Sequence, residues 1–164
     1  PIKSGKTYLL YNWIDKNNAI LYNNNFKEII NINKNVAIDD LSNVSSQEEI
    51  FHIINHCKTY NLKILVTSSI ELFNLKLILP DLNSRLKSFY YAKINKPDEE
   101  MCKILLTKLF HEKQIIIKNN EIFDFIFNRV KRTYKELYLI IEKLDNLSLE
   151  KKRQLTIPLI KEIL

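Results

Sequence analysis

Apolar residues recur along this chain in two textures, and the change between them divides it. Leu9, Leu10, Trp13 and Ile14 fall at i, i+1, i+4 and i+5, so residues 5–16 are predicted to form a helix with one apolar face, ended by Asn17-Asn18. A short apolar run at 19–22 suits a buried strand, and strands are also read at 35–40, ending in two carboxylates, and at 63–68, ending in polar residues. Residues 26–32 suit a short helix. Another helix is predicted to carry Ile50, Phe51, Ile54, Cys57 and Lys58 and to end near Asn61. Its start is marked by Ser45 or Ser46 as N-cap and by Glu48 and Glu49 in the first turn. Pro80 opens a further short helix, and residues 89–94 read as a strand.

At Asn95-Lys96-Pro97 the alternation stops and everything after it is predicted to be helical. Pro97 starts the first of these helices, with Asp98, Glu99 and Glu100 complementing its dipole and Met101, Ile104, Leu105, Lys108 and Leu109 marking its face. Ile122, Phe123, Ile126 and Val130 mark a second helix; Leu137, Ile140, Ile141 and Leu144 mark a third. The last runs from about Ile157, with Thr156 as cap and Pro158 in the first turn. Alternating strand and helix argue for a parallel sheet. The expected architecture is therefore an α/β unit over residues 1–95 and a small all-helical unit over 96–164.

Composition narrows the classes of function. No apolar run approaches the roughly 18–20 residues that span a bilayer, and no signal peptide is recognisable. Cys57 and Cys102 lie in separate predicted helices without metal spacing, which suits buried, reduced thiols and a cytoplasmic setting. The formal net charge of +6 permits contact with nucleic acid or an acidic protein, but the lysines are spread along helices and suit a solvated surface. Asparagine is abundant and glycine almost absent, a bias of AT-rich coding sequence, so Asn23-Asn24-Asn25 carries no structural argument.

The candidate chemistry starts at Ser4-Gly5-Lys6-Thr7, with Tyr8 following. Gly5 is the only glycine in the chain and precedes a lysine and a hydroxyl residue, the ending of a phosphate-binding loop. Backbone N–H groups at a helix N-terminus face an anion there, the lysine reaches the β/γ-phosphates, and the threonine hydroxyl coordinates Mg²⁺. The motif's first glycine would fall one position before Pro1 and no strand precedes the loop, so the chain is expected to be the remainder of a longer protein. Val36-Ala37-Ile38-Asp39-Asp40 is a strand ending in two carboxylates, the form that holds Mg²⁺ and polarises an attacking water. Leu65-Val66-Thr67-Ser68-Ser69 is a strand end whose hydroxyls are suited to sensing a γ-phosphate or orienting the water. His52 and His56, one turn apart, have no evident third metal ligand, and Cys57 is turned about 100° from them. Tyr90 and Tyr91, adjacent on a predicted strand, would point to opposite faces, which places one in the core and argues against base stacking.

The order Gly5-Lys6-Thr7, Ile38-Asp39-Asp40, Leu65-Val66-Thr67-Ser68 and Leu82-Asn83-Ser84-Arg85-Leu86, closed by helices, resembles an AAA+ ATPase domain of the DnaA/Hda family. Residues 47–55 are similar to the family's segment after Walker B, 79–86 to its Box VII, and 155–164 to the end of its Hda branch. The resemblance implies an AAA+ base over 1–95 and a helical lid over 96–164, with ATP or ADP and Mg as cofactors. By position it implies phosphate binding by Ser4, Gly5, Lys6, Thr7 and Tyr8, Mg binding by Thr7 and Asp39, and a catalytic acid at Asp40. It further implies sensor 1 at Thr67 or Ser68, sensor 2 at Lys135, and at Arg85 an arginine acting in trans on a neighbouring subunit's nucleotide. Lys3 stands where the family usually has glycine, and Lys135 where the initiator has arginine, which loses the bidentate fork. The implied role is regulation of bacterial replication initiation through the initiator DnaA and the DNA-loaded sliding clamp, with homo-oligomer formation left open and sequence-specific DNA binding not expected. The alternatives are a degenerate, nucleotide-independent interaction module and an initiator-type DNA-binding fragment.

Overall fold

Val36, Ala37 and Ile38 are almost wholly buried, which fits a central parallel strand covered on both faces. In a computed structural model of the chain, which describes residues 1–117 and 120–164, they lie in β2 (Asn35–Ile38). This strand runs between β1 (Ala19–Leu21) and β3 (Ile64–Val66), both parallel to it, with Ile20 opposite Val36 and Val36 opposite Ile64. Helix α1 (Lys6–Asn17) precedes β1; α2 (Phe26–Ile32) and α3 (Gln47–Thr59) are the crossovers, and α4 (Pro80–Lys87) follows β3. Ser46 caps α3 by accepting the Glu49 amide hydrogen at 3.2 Å, which settles the choice between the two serines. The core joins Ile29, Val36, Ile38, Ile50, Ile53, Ile54, Leu82 and Leu86. Each such side chain contributes roughly 1.5–3 kcal/mol by burial.

Helices α5 (Glu99–Glu112), α6 (Asn120–Phe127), α7 (Tyr134–Lys151) and α8 (Ile157–Ile160) build a separate core around Leu106, Ile126, Leu137, Ile141, Leu144 and Ile160. The chain thus divides into two compact units, Gly5–Lys93 and the helical unit Ile94–Leu164, which Pro1–Ser4 joins. Both cysteines are buried and free. Burial pushes the Cys57 thiol up to about 11, so it stays a protonated, inert packing group. Among the described residues no helix is long and apolar enough to cross a membrane.

Several local expectations change. Residues 89–94 are not a strand, and Tyr90 and Tyr91 are both exposed, so neither enters the core. A strand needs a ladder partner as well as an apolar run, and β3 pairs only with β2 among the described residues. Helix α5 starts after an Asp98 N-cap, which accepts the Met101 amide hydrogen at 2.8 Å, and Pro97 lies before it. Its buried face is Cys102, Leu106, Leu109 and Phe110, while Met101 and Ile104 are exposed. Both stripes have helical spacing, and packing on α7 selects between them. Leu9 is likewise exposed although Leu10 is buried.

The asparagines do carry a structural argument. Asn18, Asn24, Asn33 and Asn61 all have positive φ, and Asn18 and Asn33 terminate α1 and α2 in the left-handed conformation. Asparagine tolerates that region better than other residues with a Cβ. In a chain with one glycine it fills the positions where a turn demands left-handed backbone.

Candidate nucleotide site

Gly5 stands immediately before α1 with φ 83°, a left-handed conformation strained for any residue with a Cβ. A Cβ built there would meet nothing within 4 Å, so backbone conformation rather than crowding favours glycine. The Leu9 amide hydrogen-bonds the Gly5 carbonyl at 3.0 Å, so α1 begins with its first N–H groups unpaired within the helix and directed outward from its N-terminus. Lys6 opens the helix and Thr7 follows.

The parallel register brings the ends of β2 and β3 to that same helix end. The Thr7 hydroxyl donates to Asp39 Oδ2 at 2.9 Å. The Thr67 hydroxyl donates to Asp39 Oδ1 at 2.6 Å and accepts the Asp40 amide hydrogen at 2.9 Å. Three residues predicted for one site, separated by 32 and 28 positions, therefore meet on one carboxylate. A hydroxyl and a carboxylate in contact at a helix N-terminus are an oxygen donor set of the kind that takes Mg²⁺ with a phosphate. The residues present fit that group.

Asp40 faces elsewhere. It too has positive φ, 50°, and its carboxylate accepts from Ser42 Oγ at 2.6 Å, Asn43 Nδ2 at 2.8 Å, and both the amide and the hydroxyl of Ser69 at 2.8 Å. Partial burial pushes the carboxyl up, but the hydrogen bonds from Ser42 and from the amide and hydroxyl of Ser69 outweigh it and hold the group below the usual aspartate range. The folded chain therefore binds this proton less readily than the unfolded chain. The resulting stability is complete above the ordinary aspartate value near ~4 and is lost as pH falls through the lowered native value. Asp40→Asn is expected to destabilise the α/β unit by about 1–3 kcal/mol at neutral pH. The gap from the parent chain should shrink below pH 4, as read by urea melts; a gap independent of pH would contradict this assignment.

The remaining predicted site residues are more dispersed. The Ser68 hydroxyl donates to the Ile70 carbonyl at 2.6 Å within its own turn, so of the two predicted sensor hydroxyls Thr67 is the one on Asp39. The Ser4 hydroxyl donates to the Pro1 carbonyl at 2.8 Å. Tyr8 projects from α1 exposed. Lys3 has φ 61°, and its ammonium lies 5.7 Å from the centre of the Tyr138 ring. Lys135 is exposed in the first turn of α7 in the helical unit. Arg85 lies in the last turn of α4. The His52–His56 pair has no metal cluster among the described residues; His56 packs on Tyr60 with ring centres 4.6 Å apart. Ser42 and Asn43 were not anticipated, and Ser69 was read only as the last hydroxyl of the strand end. The readable signal for Ser69 was a hydroxyl residue two positions beyond Thr67, but only the parallel register shows that it reaches Asp40.

The family model of the Hda lid domain matches residues 98–164. An uncharacterised protein of Haemophilus influenzae is 32% identical over 134 residues, covering 79% of this chain and 58% of that protein. The chromosomal replication initiator protein DnaA of Buchnera aphidicola is 31% identical over 154 residues, covering 91% of this chain and 34% of the initiator. The chain thus spans about half and a third of these relatives. Domain III of the Thermotoga maritima initiator DnaA superposes with a TM-score of 0.78 at 21% identity, over 98% of this chain and 78% of that one. AMPPCP-bound DnaA from Aquifex aeolicus superposes with 0.68 at 19% identity, over 92% and 56%. These two likenesses show the fold: a parallel-sheet AAA+ base followed by a helical lid. With that fold, the lid match over residues 98–164 and the two sequence relatives, the chain belongs to the DnaA/Hda family of AAA+ proteins.

Proposed function

We propose that this chain binds adenine nucleotide with Mg²⁺ and regulates bacterial replication initiation by stimulating hydrolysis of ATP bound to a DnaA partner. The observation that carries the nucleotide half is the Thr7–Asp39–Thr67 arrangement at the N-terminus of α1. Lys6 and the N–H groups of the first turn would hold phosphate, Thr7 and Asp39 would hold the metal, and Thr67 would orient Asp39. Lys135 is the candidate sensor 2 cation, on the lid. The bound Mg²⁺ would supply charge neutralisation of the phosphates.

Arg85 is the proposed trans-acting group. Leu82 and Leu86 beside it are buried and anchor α4, and among the described residues no hydrogen bond or ion pair engages its guanidinium. A planar guanidinium stays charged and spans two phosphate oxygens. In this reading the partner is ATP-bound DnaA, the sliding clamp is a family-level expectation, and hydrolysis by the chain itself is dispensable.

The left-handed backbone at Lys3 favours a second reading, a nucleotide-independent interaction module, because a non-glycine residue there strains the loop by roughly 1–2 kcal/mol. Thermal melting of the full protein with Mg²⁺ and ADP or ATP separates the two. At a ligand concentration near 100 times Kd, binding adds about 2.7 kcal/mol of stability. A midpoint unchanged by either nucleotide at millimolar concentration supports the module and removes the nucleotide half of the proposal.

A further inference from the structure

Asp40 is engaged too completely to serve as a base. A carboxylate offers about four acceptor sites. Here Oδ1 takes Ser42 Oγ and the Ser69 amide, and Oδ2 takes Asn43 Nδ2 and Ser69 Oγ. Ser69 alone holds both oxygens, with its backbone on one and its side chain on the other. In hydrolysis, the water whose oxygen bonds to the γ-phosphorus, as the bond to the bridging oxygen breaks, must pass a proton to an acceptor. A general base needs a free lone pair within hydrogen-bond reach of that proton. Asp40 has none to offer unless donors leave it.

We infer that Ser69 is a positioning residue that fastens Asp40 across the ends of β2 and β3, so that the chain retains bound ATP without turning it over. Ser42 and Asn43 complete the clasp from the turn after β2. The inference rests on the proposed nucleotide site and specifies how that site is kept silent. It also separates Asp39, whose oxygens meet Thr7 and Thr67 at the helix N-terminus, from Asp40, whose oxygens meet only the two turns.

The test compares the full protein with Ser69→Ala and with Ser42→Ala/Ser69→Ala, measuring ATP affinity by equilibrium binding and turnover by single-turnover hydrolysis of radiolabelled ATP. Freeing Asp40 is expected to raise turnover by at least about 10-fold at unchanged affinity, since a positioned base contributes roughly 10²–10⁴-fold. The gained rate should vanish when Asp40→Asn is added and fall back in Ser69→Thr, which restores a hydroxyl. Variants that bind ATP like the parent chain yet hydrolyse it no faster overturn the inference and leave nucleotide binding standing. A parent chain that already hydrolyses ATP as fast as the double variant overturns it too. A parent chain that binds no ATP in the equilibrium assay removes the nucleotide reading, and the inference with it. Thermal melting of each variant excludes loss of fold as the source of a low rate.

Discussion

Arg85→Ala is expected to lower stimulated hydrolysis of DnaA-bound ATP by about 10³-fold or more, the range seen when an arginine supplied in trans is removed from a phosphoryl-transfer site. The physical case is that the guanidinium is held but not engaged. Helix α4 is fastened by Leu82 and Leu86, at 0% and 3% exposure, three residues before and one after Arg85. The side chain between them is partly exposed and has no partner among the described residues, so its charge is available to a neighbouring phosphate. Removing it should cost little in folding, about 0.3–1 kcal/mol for a cation lost from the last turn of a helix. Arg85→Lys should recover only part of the activity, because it keeps the charge and loses the fork. The measurement is the partner's ATP turnover with nucleotide binding by this chain monitored separately. Undiminished stimulation by Arg85→Ala would end the trans assignment.

Asp39→Ala should weaken Mg²⁺-dependent nucleotide binding by about 10–100-fold, the usual effect of losing a group that orients a metal's ligands. Asp39 is the acceptor for two hydroxyls from different elements, Thr7 on α1 and Thr67 beyond β3. Its removal therefore loses the carboxylate and also frees both hydroxyls to rotate. The distinguishing control is nucleotide without metal, whose weaker affinity should not change. If titrations with and without Mg²⁺ fall by the same factor, Asp39 is supporting the fold and not the metal. Asp40→Ala provides the contrast: its oxygens meet Ser42, Asn43 and Ser69, so it should alter stability more than metal dependence.

Local signals were legible where local physics decides. The helix over 26–32 stands where it was read, and the strands at 19–21, 35–38 and 64–66 lie within the runs read at 19–22, 35–40 and 63–68, ending before their polar residues. The N-cap at Ser46 acts within its own turn, accepting an amide hydrogen three residues on, and Thr156 stands at the N-cap of α8 without a side-chain cap bond. Gly5 was readable because a loop entering a phosphate-binding helix needs left-handed backbone, and Lys3 because it stands where a glycine was expected; both have positive φ. Less legible was the left-handed role of the asparagines. Their abundance looked like a compositional bias, and the turns they make became visible only with helix ends assigned.

The sequence by itself determined the family and the meeting of Thr7 and Asp39 with a hydroxyl at the end of β3, Thr67 or Ser68, because motif order combined with a parallel sheet brings successive strand ends to one edge. It could not choose the buried face of α5, where two stripes of equal spacing compete and only packing on α7 discriminates. It could not settle whether residues 89–94 pair, since a strand depends on a partner elsewhere in the chain. Nor could it separate the hydrogen-bond partners of two adjacent aspartates, whose roles the resemblance alone distinguished. Successive residues leaving a strand diverge, and the left-handed turn at Asp40 directs that side chain to Ser42, Asn43 and Ser69 while Asp39 stays with the helix. That division depends on hydrogen bonds between segments 29 residues apart, so it belongs to the tertiary structure alone.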